Sequence, residues 1–70
     1  MVREGTVTWL RALVERNGWR IDEEPDLFGD HVAELYDERG NYLLCHCAEA
    51  KAGTIRGLAR KVQRIREARG

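Results

Sequence analysis

Three stretches of this 70-residue chain carry side chains able to do chemistry. His31 follows Gly29-Asp30 at the head of an apolar run. An imidazole exchanges protons near neutral pH. Cutting RNA without a metal needs such groups: a base takes the 2′-hydroxyl proton and an acid protonates the leaving oxygen. The plainer alternative is a histidine that is structural or merely exposed. Cys45-His46-Cys47 has the residue types of a metal site. In a strand, however, Cys45 and Cys47 point to one face and His46 to the other, so the three cannot converge on one ion. Structural zinc sites draw on four ligands from two separated pairs, and no second pair exists. We therefore expect no metal, no cofactor, and two small thiols packed beneath a helix. The third stretch, Lys51-Ala52-Gly53-Thr54-Ile55-Arg56, opens the last helix. Free N–H groups at a helix start attract phosphate, Gly53 leaves room for close approach, and Lys51 and Arg56 add charge. A solvated surface is the alternative for this basic face.

The elements that must position these residues follow from periodicity. Val7, Leu10, Leu13 and Val14 fall on one face of a helix from about Thr6 to Asn17, with Thr6 as its N-cap. Asn17-Gly18-Trp19 reads as its stop, with Trp19 packed back on Val14 in a Schellman motif. Trp19 to Asp22 alternates as a short strand, and Glu23 to Asp30, with Pro25 and Gly29, reads as a loop. His31 to Tyr36 is a second strand. Asp37 to Asn41 is a hairpin turn in which Gly40 and Asn41 are expected to take positive φ. Tyr42 to Cys47 is a third strand, apolar on both faces and so expected to be central or covered. Ile55, Leu58, Val62 and Ile65 give the seam of a helix from about Thr54 to Ala68, with Arg56, Arg60, Lys61 and Arg64 off the seam. The order is α-β-β-β-α. The expected class is α+β, one domain over residues 1–70, with a three-stranded antiparallel sheet and both helices on one face.

Composition narrows the function classes. Hydrophobic residues make up 43% of the chain, too many for a disordered tail. No apolar run is long enough to span a membrane, and no signal-peptide stretch opens the chain, so a cytoplasmic protein is expected. The 12 basic and 12 acidic groups cancel but are unevenly spread. Residues 1–20 hold four basic groups against two acidic, residues 21–50 one against nine, and residues 51–70 seven against one. A positive end suits phosphate or an acidic partner. The other possibility is that the acidic middle simply pairs with the last helix. Small domains without disulfides are marginal, so a partner or a second copy would not surprise.

Taken together, these motifs resemble the HicA family of small type II toxins. The match rests on Leu13-Val14-Glu15-Arg16-Asn17-Gly18-Trp19, on Gly29-Asp30-His31 in place of Gly-Ser-His, on His46 near a third-strand histidine, and on Ala52-Gly53-Thr54-Ile55-Arg56. It covers about residues 8–65. The resemblance implies a fold like the double-stranded-RNA-binding domain, an mRNA interferase activity, and a HicB-like antitoxin partner. It implies His31 as the catalytic residue and Lys51, Gly53, Thr54, Arg56 and Arg60 as contacts to the RNA backbone. Three positions depart from the family pattern. Asp30 replaces serine, and an anion beside His31 repels phosphate. Val32 stands where a polar residue is common, and Ala52 stands where lysine precedes the glycine.

Two other readings stay open. One is a non-catalytic module of the same fold that binds RNA or an acidic protein through the last helix. The other is an inhibitor of the kind phages encode, whose acidic segment imitates nucleic acid. The direction in which the acids point separates the second from the rest.

Overall fold

A computed structural model describes residues 2–25 and 27–69; Asp26, within the stretch expected to be a loop, lies outside them. The order is α1 (Val7–Asn17), β1 (Arg20–Pro25), β2 (His31–Tyr36), β3 (Tyr42–Ala48) and α2 (Lys51–Arg69). The class is α+β, as expected. The sheet is antiparallel in the order β1-β2-β3. Helix α2 lies over β2 and β3, and α1 packs on α2 and β1, so both helices cover one face.

The ends of α1 are built as the residue types require. Thr6 has extended backbone, and its hydroxyl oxygen accepts from the Trp9 N–H at 3.2 Å. At the other end Gly18 takes φ 71°, where a side chain would crowd the backbone. The Trp19 N–H then donates to the Val14 carbonyl at 2.9 Å, which closes the Schellman turn. Trp19 packs against the core, alongside Val14 and Ile21.

The core is small. Leu10 and Leu13 from α1, Ala33 and Leu35 from β2, and Ile55, Leu58, Ala59 and Val62 from α2 are buried together. Ile65, expected in the α2 seam, is exposed near the helix end.

Four expectations are corrected. First, β1 runs on to Pro25, so Glu23, Glu24 and Pro25 are strand residues paired to Ala33, Val32 and His31. Their low strand propensity is overridden by pairing on an edge, where a terminal proline is tolerated. Second, β3 is an edge strand, not a central one. Its apolar outer face is the uncovered face of the sheet. Third, only Gly40 of the hairpin takes positive φ. The turn is held instead by Asp37, whose Oδ1 accepts from the Asn41 N–H (2.8 Å) and the Arg39 N–H (2.9 Å). Chiefly the Asn41 N–H holds the Asp37 carboxyl below its usual range. Fourth, α2 begins at Lys51 rather than Thr54.

A bulge sets the register of β3. Leu35 faces Leu44 and Tyr36 faces Tyr42, which leaves Leu43 as the extra residue. Beyond it the strand alternates cleanly. Leu44, His46 and Ala48 share the helix-covered face with Leu35, Ala33 and His31, while Cys45 and Cys47 lie across from Glu34 and Val32 on the open face.

Candidate functional site

His31 begins the central strand, between Pro25 of β1 and Ala48 of β3. It is half-buried on the helix-covered face. The first turn of α2 lies above it. Together they form a cleft of about 220 Å³ whose walls include Glu23, Pro25, Lys51 and Thr54. Asp30, the anion expected to repel phosphate here, is not part of those walls. Lys51 sits in the cleft, one position ahead of the place where the family pattern has its lysine.

His46 lines a separate groove of about 390 Å³ with Gly53, Arg56, Gly57, Arg60, Lys61 and Arg64. No described carboxylate belongs to its walls. The two clefts share no lining residue. The expected contacts therefore divide, with Lys51 and Thr54 beside His31 and Gly53, Arg56 and Arg60 beside His46. Thr54 is only 1% exposed, and its hydroxyl donates to the Lys51 carbonyl at 2.7 Å. Its side chain holds the first turn of α2 and is not turned outward.

Among the described residues no carboxylate lies within ion-pair distance of the basic side of α2. Among the described residues the ion pair within 4 Å is Arg20–Asp22, at 3.1 Å inside β1. The alternative in which the acidic middle pairs with the last helix finds no ion pair to support it among the described residues. Lys61 spends its ammonium on the Cys45 carbonyl at 2.8 Å, whereas Arg56, Arg60 and Arg64 are exposed.

Gly57 is what lets His46 lie in the groove. A Cβ built there overlaps the His46 ring. Glycine inside a helix otherwise costs about 1 kcal/mol relative to alanine. We expect Gly57→Ala to gain that amount in a His46→Ala background, and to gain much less in the native chain. Urea denaturation of the four proteins reads the difference. Equal gains in both backgrounds would mean that the ring does not occupy the space above Gly57.

The acids of the middle segment point several ways. Asp22, Glu24 and Glu34 are on the open sheet face, Glu23 on the helix-covered face, and Asp37 is folded into the hairpin. On the open face the Tyr36 hydroxyl donates to Glu34 at 3.0 Å, which raises the phenol above its ordinary range. Arg20 stacks over the Tyr36 ring at 4.8 Å. Cys45 and Cys47 lie on this face, not beneath a helix, and Cys47 is exposed. A hydrogen bond between Tyr42 and Cys45 is the main influence raising the Tyr42 phenol. Among the described residues no three histidine, cysteine or carboxylate side chains come together as a metal site would need. No described helix is long and apolar enough to cross a membrane.

Sequence reasoning missed Glu23. Its cue was the alternation of Ile21, Asp22 and Glu23, which continues the strand, but the following Glu-Pro pair argued for a loop. Comparison with family models, with curated proteins and with solved structures finds no match for this chain.

Proposed function

We propose that this protein is a HicA-like ribonuclease that cuts RNA without a metal and is held in check by a HicB-like protein partner. One observation carries the reading. His31 and Lys51 share a cleft beside a groove that gathers Arg56, Arg60, Lys61 and Arg64 around His46 with no described carboxylate. Side chains of one sign repel each other unless an anion joins them, and a phosphodiester backbone is such an anion. In this reading the groove grips the RNA backbone and delivers one phosphate to His31. The imidazole moves a proton as the 2′-oxygen attacks phosphorus. Lys51 stabilises the charge that builds on the phosphate oxygens.

The same groove serves the non-catalytic reading, in which RNA is held and not cut. Nucleic-acid mimicry finds less support, because the acids do not form one row. Asp22 is paired with Arg20, and Glu34 is tied to Tyr36.

Induction of this chain and of its His31→Ala variant in bacteria tests the proposal, with total RNA examined on a gel. Growth arrest with RNA loss is expected, both cured by the substitution in a variant that keeps its helical circular dichroism. Toxicity unchanged in His31→Ala would sink the assignment of His31. No arrest from folded native protein, together with binding of RNA that weakens steeply with salt, would leave the non-catalytic module.

A further inference from the structure

Transfer of a phosphoryl group from the 5′-oxygen to the 2′-oxygen needs two proton carriers, and His31 is one. We propose that Glu23 is the other, an inference that rests on the ribonuclease reading above. Pairing of β1 with β2 sets Glu23 opposite Ala33 and Pro25 opposite His31, so Glu23 and His31 are diagonal neighbours on one face of the sheet. Such neighbours have Cα atoms about 7–8 Å apart, within the reach of long side chains. Both line the cleft that Lys51 closes. A phosphate drawn in by Lys51 lies with Glu23 on the β1 side and His31 on the β2 side. That is what in-line displacement asks for, since the attacking and leaving oxygens are on opposite sides of phosphorus.

The roles follow from the chemistry of the two groups. A carboxylate in contact with water is ionised at neutral pH and can only accept a proton, whereas an imidazolium can donate one. Glu23 takes the proton of the 2′-hydroxyl. The 2′-oxygen forms its bond to phosphorus as the bond from phosphorus to the 5′-oxygen breaks. His31 gives its proton to the departing 5′-oxygen. The products are a 2′,3′-cyclic phosphate and a free 5′-hydroxyl; Glu23 then gives its extra proton to water and His31 takes one back from water, which resets both groups. The other charged groups at the pair are Lys51 from α2 and Glu24 from β1, while β3 places only Ala48 beside His31. The His46 ring belongs to the neighbouring groove.

The test uses the purified full chain, a short RNA, and the same sequence with 2′-O-methyl groups, which binds but cannot be cut. We expect Glu23→Gln to slow cleavage about 100-fold or more, in the range of a lost general base. Its affinity for the 2′-O-methyl strand should stay within about twofold of native, and Glu23→Asp should recover part of the rate. The native pH–rate profile should fall on its acidic side, and that fall should vanish in Glu23→Gln. Glu15→Gln, an exposed change on α1 away from the cleft, should cleave as the native chain does. A Glu23→Gln protein that cleaves within about threefold of native, or keeps the acidic fall, overturns the proposal. A native protein that cuts no RNA overturns the ribonuclease reading itself, and the role of Glu23 with it.

Discussion

Leu58→Ala should remove about half of the stability of this domain. Leu58 is fully buried where α2 meets the sheet, within a core of eight buried apolar residues among those described. Truncating a buried leucine costs about 2–5 kcal/mol, part from lost transfer energy and part from the cavity left behind. At roughly 0.05–0.15 kcal/mol per residue, a chain of this length has about 4–10 kcal/mol in all. No disulfide backs up the packing, because Cys45 and Cys47 are both free. Urea titration should show a much lower midpoint with an unchanged slope. Leu43→Ala is the control. Leu43 is the bulged residue and 41% exposed, so its loss should change stability by no more than about 0.5 kcal/mol. A loss below about 1 kcal/mol for Leu58→Ala would contradict the close packing described at this position.

Neutralising Arg56 and Arg60 together should weaken RNA binding about 25-fold at 0.1 M salt. Both guanidinium groups are exposed in the His46 groove. Each contact to a single-stranded phosphate contributes about 0.7 to the slope of log affinity against log salt. Two lost contacts therefore flatten that slope by about 1.4, and the same 1.4 log units give the 25-fold loss at 0.1 M. The measurement is a salt titration of an uncut 2′-O-methyl strand on the native chain and on Arg56→Gln/Arg60→Gln. Arg11→Gln, an exposed change on α1, should leave the slope alone. An unchanged slope in the double variant would place the RNA elsewhere. If the proposed function holds, this measurement is separate from the test of Glu23, because the arginines and the His31–Glu23 pair line different clefts.

Local chemistry was legible in the sequence wherever neighbours along the chain decide the outcome. Thr6, Gly18 and Trp19 fix both ends of α1 through contacts no more than five residues apart. The alternation of Cys45, His46 and Cys47 correctly separates the thiols from the imidazole. What failed was decided by distant partners. Glu23 and Glu24 are poor strand formers taken individually, and only pairing with β2 extends the strand through them. The apolar outer residues of β3 suggested a covered strand, yet they include Tyr42 and two cysteines, which tolerate the open face. Thr54 looked like the residue that starts α2, whereas its hydroxyl reaches back to a carbonyl inside the first turn. For the site, His31, Lys51, Arg56 and Arg60 were each recognisable by type. Their division between two clefts was not, since it depends on how α2 crosses the sheet. The nesting of His46 on Gly57 joins residues eleven positions apart and leaves no periodic trace.

The hydrogen bond from Lys61 to the Cys45 carbonyl also bears on how the molecule behaves in a crowd. A sheet that ends on both sides offers two rows of backbone groups to any passing strand, the usual beginning of aggregation. The β1 border is defended by composition, with Arg20, Asp22, Glu23, Glu24 and Pro25 among its six residues. The β3 border has no such defence: Tyr42 to Cys47 contains no aspartate, glutamate, lysine, arginine or proline, the profile of a segment prone to stack. Two devices guard it. The Leu43 bulge breaks its straight register, and the Lys61 ammonium occupies one of its carbonyls with a charge that another strand would have to desolvate. A lysine on the basic side of α2 therefore serves as a gatekeeper for the most adhesive border of the fold.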